Sequence, residues 1–259
     1  MSLERGISPA RPSKLEKMTP NPMTRNMAAV GRRRRLCLAG IALVSGIAGG
    51  AVLLGGAVAS TSALPVAPLS TLGQLQPAPA AGPLGPEGAP IPAKAALLAR
   101  PASKATLTRS VDGIKCQPSE KVLFHIHAHL SVFVNGKPRL VPYGIGIGPP
   151  LSGQNTSSGA FVTNGSCFSW LHTHVSDGII HIESPVKRTF RLGELFDIWG
   201  QPLSTSRVGP AHGHVVALFN GQVYKGDPRQ IPLLGHAQIQ LDVGTPLVAP
   251  ESIVFRKPL

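Results

Sequence analysis

The stretch from Val122 to Val134 commits the chain to one kind of element. Its even positions, Val122, Phe124, Ile126, Ala128, Leu130, Val132 and Val134, are all apolar, while the odd ones include His125, His127 and His129. A period of two sends these sets to opposite faces of a β-strand, one built for a core and one carrying imidazoles. Asn135-Gly136 follows at once, the sequence signal of a tight hairpin. Further short β-like runs between turn residues are expected at 138–146, 159–163, 168–174, 179–184, 214–219, 222–225, 237–243 and 252–256, with one helix from Leu192 to Trp199. The expected fold class is mainly β, an antiparallel sandwich or barrel-like domain over residues 105–259.

A shift of 85 residues superposes two parts of that domain. His127-x-His129 before Asn135-Gly136 becomes His212-x-His214 before Asn220-Gly221; apart from that shift, the ends of the two halves, Ile180-His181-Ile182-Glu183 and Ile239-Gln240-Leu241-Asp242, also resemble each other. Duplication of one β unit is one reading, and shared hairpin grammar is the other.

The rest of the chain has a different composition. Residues 1–35 hold nine Lys or Arg against Glu4 and Glu16, which places much of the net charge of +13 in a polar, proline-punctuated tail. From residue 105 onward the excess is modest, with no basic helix or aromatic-interleaved patch, so nucleic acid is not an expected partner. Residues 36–58 carry no charge, long enough to span hydrocarbon as a helix. Arg32 to Arg35 on its N-terminal side orient it with the N-terminus cytoplasmic and the following residues extracytoplasmic. Such a segment is an uncleaved anchor or, with cleavage after Ala57-Val58-Ala59, a secretory signal; both readings export the same domain. Residues 59–104, rich in Pro and Ala, read as a linker or stalk.

All nine histidines lie after residue 124, and seven fall in H-x-H clusters. Imidazole is the commonest transition-metal ligand, and H-x-H on a strand points two rings the same way. In LHTHVSDGIIHIE, a two-residue turn at Asp177-Gly178 sets His174 opposite His181 and His172 opposite Glu183, all on one surface. Directly opposed Cβ atoms lie about 5 Å apart, close enough for three imidazoles and a carboxylate to meet on one ion. The candidate metal ligands are therefore His172, His174, His181 and Glu183, joined by His125, His127 and His129 as further ligands or supporting partners. Zn or Cu is the expected metal. His212, His214 and His236 are weaker candidates, and taken singly any of these histidines is explained as a solvated or hydrogen-bonded side chain.

No H-E-x-x-H, C-x-x-C or G-x-S-x-G motif is present, so the common zinc-protease, zinc-finger and serine-hydrolase readings lack support. Cys116 and Cys167, alone in an exported domain, are expected to form a disulfide. Three functions fit: a tethered or exported metal-binding protein, a metal-dependent enzyme with Asp177, Glu183 or Asp197 as general base, and a non-metal β-sandwich interaction module whose histidines respond to pH.

Overall fold

The computed structural model describes residues 63–101, 107, 109–257 and 259. The tail at 1–35, the apolar run at 36–58 and the cleavage motif lie outside the described residues. Among the described residues no helix is long and apolar enough to cross a membrane.

The strands in chain order are β1 (Val66–Ala67), β2 (Ala96–Leu97), β3 (Phe124–Val134), β4 (Lys137–Leu140), β5 (Ser152–Thr156), β6 (Gly159–Asn164), β7 (Leu171–His172) and β8 (Ile179–Ser184). After β9 (Phe190–Arg191) and the helix α1 (Leu192–Trp199) come β10 (Leu203–Ser204), β11 (Arg207–Val208), β12 (Ala211–His212), β13 (Val215–Phe219), β14 (Gln222–Tyr224), β15 (Pro232–Leu233) and β16 (Gln238–Val243). Nine of these form one sheet in the order β1-β14-β13-β16-β3-β4-β2, with β8 and then β7 added beside β3.

The fold is mainly β, as the alternation requires, but the main sheet is mixed and does not close into a barrel. β16 lies parallel to β3, and β2 parallel to β4. Parallel neighbours are stable where both faces of a sheet are covered, and both faces are covered here. On one face Ala128, Leu130 and Val132 meet Ile180, Ile182, Ile239 and Leu241 beneath α1, all fully buried. Leu192, Leu195, Phe196 and Trp199 give that helix its buried stripe at i, i+3, i+4, i+7. Glu194 Oε2 accepts the Arg191 N–H at 2.7 Å to start the helix, and Gly200 at φ +72° ends it. Each such aliphatic side chain contributes about 2 kcal/mol by leaving water.

The opposite face carries the odd residues of β3 and is covered by the two ends of the described chain. Gln76 bridges to Val248, β1 pairs with β14, and β2 pairs with β4, so the proline-rich stretch at 59–104 is folded onto the domain in its described part. β1 is only two residues long because Pro65 and Pro68 flank it and carry no N–H donor. The expected strand at 252–256 is absent. Side chains of β16 take its backbone groups instead: Gln238 accepts the Ile253 N–H and donates to the Ile253 carbonyl, while Gln240 accepts the Glu251 N–H.

Asn135-Gly136 and Asn220-Gly221 close matching hairpins, all four residues having positive φ as a type I′ turn demands. The third strands share their sense as well: β8 runs antiparallel to β3 as β16 does to β13, and the two units meet where β16 lies parallel to β3.

Candidate metal centre

The registers of β3, β8 and β7 stack three imidazoles across the sheet, His127 opposite His181 and His181 opposite His172. Two residues along, His125 pairs with Glu183. Strand alternation puts this row on the face away from Ala128, Ile180 and Ile182.

The expected two-residue turn at Asp177-Gly178 does not form. Gly178 has φ +86° but Asp177 does not enter the left-handed region, so type I′ geometry is excluded. Asp177 Oδ1 accepts the Ile179 N–H at 3.1 Å, an Asx turn. Thr173 is drawn out of the ladder by its hydroxyl, which donates to the Pro142 carbonyl and accepts the Ile145 N–H. β7 therefore ends at His172, and the register moves by two residues, pairing His172 with His181 rather than with Glu183. A shift of two preserves the parity of the face, so the expected side chains still converge.

They converge in two overlapping sets, His125-His127-His181-Glu183 and His172-His174-His181-Glu183, each with its ligand atoms within 4.8 Å of one another. In the first, His125 Nε2 lies 3.1 Å from His127 Nε2 and 3.1 Å from Glu183 Oε1. His181 Nδ1 lies 3.1 Å from His127 Nε2 and 3.3 Å from the same carboxylate oxygen. A tetrahedral ion with bonds of about 2.0 Å spaces its ligand atoms about 3.3 Å apart, which these separations match.

In the second set both Nδ1 atoms are committed. His172 Nδ1 donates to the Ser169 carbonyl at 2.9 Å and His174 Nδ1 to the Val162 carbonyl at 2.5 Å. That tautomer leaves a lone pair on each Nε2, and the two Nε2 atoms face each other at 3.1 Å. Facing lone pairs repel unless a proton or a metal cation lies between them, and fixing His through its other nitrogen is how metal sites orient imidazoles. Burial, reinforced by His174 and His181, pushes His172 well below its usual pKa, and burial with His181 lowers His174. A proton is thus the poor occupant, and both imidazoles are in their ligating form at neutral pH.

His181 is shared by both sets. Burial works against its charge, yet Glu183 and Glu87 override it and hold its pKa up at about 9. Burial would also raise Glu183, but His181 lowers it. His127, buried beside His181 and His125, is pushed down to about 3.

Two carboxylates escaped the sequence reading. Glu87, from the proline-rich stretch, places Oε1 2.7 Å from His181 Nε2. Glu120 places Oε1 3.6 Å from His174 Nε2 and 3.9 Å from His172 Nε2. Glu87 did leave a signal, being the sole charged residue between Arg35 and Lys94. Glu120 left none in its spacing. It is carried there by the Cys116–Cys167 disulfide and the Gln117–Phe168 bridge, which fix its loop beside β7.

The remaining candidates fall outside the two sets. His129 is buried with Nε2 donating to the Asp177 carbonyl at 2.9 Å, holding the loop that carries His174. His212 and His214 are exposed, and His236 stacks on Phe255. Asp197, on α1, is engaged by Arg229. Asp177 is pushed up to about 7 by burial and by Glu87. The chain matches no protein-family model, and comparison with curated proteins and with solved structures finds no match either.

Proposed function

We propose that this chain is an exported or membrane-tethered protein that binds a divalent transition metal, Zn(II) or Cu(II), through His172, His174, His181 and Glu183. Residues 36–58 serve as anchor or export signal in this reading. The observation that carries it is the pair of buried Nε2 lone pairs 3.1 Å apart, each fixed by a backbone carbonyl on the far side of its ring. Imidazole nitrogen with one carboxylate is a borderline donor set suited to Zn(II) and Cu(II).

The test is elemental mass spectrometry of the chain exported to an oxidising compartment without a histidine tag. Bound Zn or Cu, reduced by His172→Ala/His174→Ala, supports the reading; unchanged metal content in that variant refutes it. A metal-dependent enzyme is the second reading, favoured by a cleft of about 370 Å³ at His125, His127 and His236 that opens one side of the cluster. An exchangeable water on the bound metal distinguishes it from storage or structural binding.

A further inference from the structure

Resting on that metal-binding reading, we infer that the cluster holds two divalent cations bridged by His181: a buried one on His172 and His174, and a second, reached from the cleft, on His125 and His127. Both ring nitrogens of His181 are already turned towards ligand groups, Nδ1 towards His127 and Glu183, Nε2 towards Glu87. His172 stacks against His181 at 5.3 Å between centroids while His127 meets its edge at 4.4 Å, so the two H-x-H pairs approach different parts of one ring. Entry of both ions releases the two N–H protons of His181 to solvent and leaves a bridging imidazolate.

Two independent observations favour a pair over a single ion. Glu87 Oε2 and Glu183 Oε2 are buried with no hydrogen-bond partner; Glu183 belongs to both sets, but Glu87 faces only Nε2 of His181, so an ion held at Nδ1 with His125, His127 and Glu183 leaves Glu87 unengaged. Charge gives the same answer. Glu87, Glu120 and Glu183 converge on these histidines, and among the described residues none of them pairs with a Lys or Arg. Three carboxylates and an imidazolate balance two divalent cations; with one ion His181 stays neutral and one negative charge is left over, on a group of carboxylates of which only Glu120 is exposed. The ions differ in access: His172 is fully buried, whereas the His125 side chain is 40% exposed beside the cleft. The outer ion is the one positioned to take a small exogenous ligand.

The test titrates the metal-free full-length chain with Cu(II) and reads stoichiometry together with electron paramagnetic resonance. Two ions are expected to bind, with a spin intensity well below that of two isolated coppers because the imidazolate couples them. His125→Ala, at an exposed position that threatens folding least, should lose the outer ion, keep the inner one and recover an isolated-copper spectrum; azide should perturb the signal of wild type and leave that of the variant unchanged. Saturation at one copper, or two coppers without coupling, overturns the bridged pair while leaving the single-site reading intact. Absence of any bound copper overturns both.

Discussion

Replacing His172 by alanine separates its role as core packing from its role as a ligand. The side chain is fully buried and donates one hydrogen bond to the Ser169 carbonyl. Truncation opens a cavity and frees that carbonyl, together costing about 2–4 kcal/mol, partly offset by removal of the lone pair that opposes His174. This cost is present with or without metal. Saturating metal adds a second difference, because an ion at one hundred times its dissociation constant stabilises the wild type by about 2.7 kcal/mol that the variant forgoes. For a domain of this size that corresponds to a widening of roughly 5–11 °C in the gap between the two melting temperatures. The assay is thermal unfolding of both proteins in chelator and in excess Zn(II), which forms a cycle of mutation against metal. An equal gap in the two buffers would refute the ligand role and leave His172 as a packed, hydrogen-bonded core residue.

In metal-free protein, Glu87→Gln removes one of two anions holding His181 charged, so its titration midpoint, followed by NMR of the ring, should fall from about 9 by about one unit or more; an unchanged midpoint would mean that Glu87 does not face this ring in solution. Cys116→Ser/Cys167→Ser opens a cross-link of sequence separation 51, for which chain entropy gives about 4 kcal/mol, and also releases the loop bearing Glu120; chemical denaturation should show the loss, and equal midpoints would contradict it. Burial pushes Asp242 up to about 6, above its value of about 3.9 in an unfolded chain. Its contribution is therefore fully present below pH ~4 and lost as pH rises through about 6, a change of roughly 2–3 kcal/mol. Asp242→Asn should flatten that part of the stability–pH curve, and an identical slope in the variant would show that Asp242 is not responsible.

What the sequence revealed about the domain follows from which signals are local. The alternation in β3, the apolar stripe of α1 and the two Asn-Gly turns are properties of neighbouring residues, and all of them appear in the fold. The parallel placement of β16 beside β3 depends on which edge a distant strand finds, and no local pattern encodes it. The same division holds at the candidate site. Face parity follows from a period of two and survives a register shift of two, which is why His172, His174, His181 and Glu183 converge although the turn between them is not the expected type I′. His129 has the parity of its neighbours but sits one pair too far along β3, opposite Ile179, where the nearest acceptor is a loop carbonyl. Glu87 and Glu120 arrive from outside the sheet, so strand arithmetic could not reach them.

Metal coordination by His172 and His174 is tested most directly by an anomalous-scattering map from crystals of the metal-loaded protein, recorded at the Zn or Cu absorption edge. A peak is expected between the two Nε2 atoms at about 2.0–2.1 Å from each. A peak only elsewhere, at His212, His214 or the chain termini, or no peak in metal-loaded crystals, would contradict it.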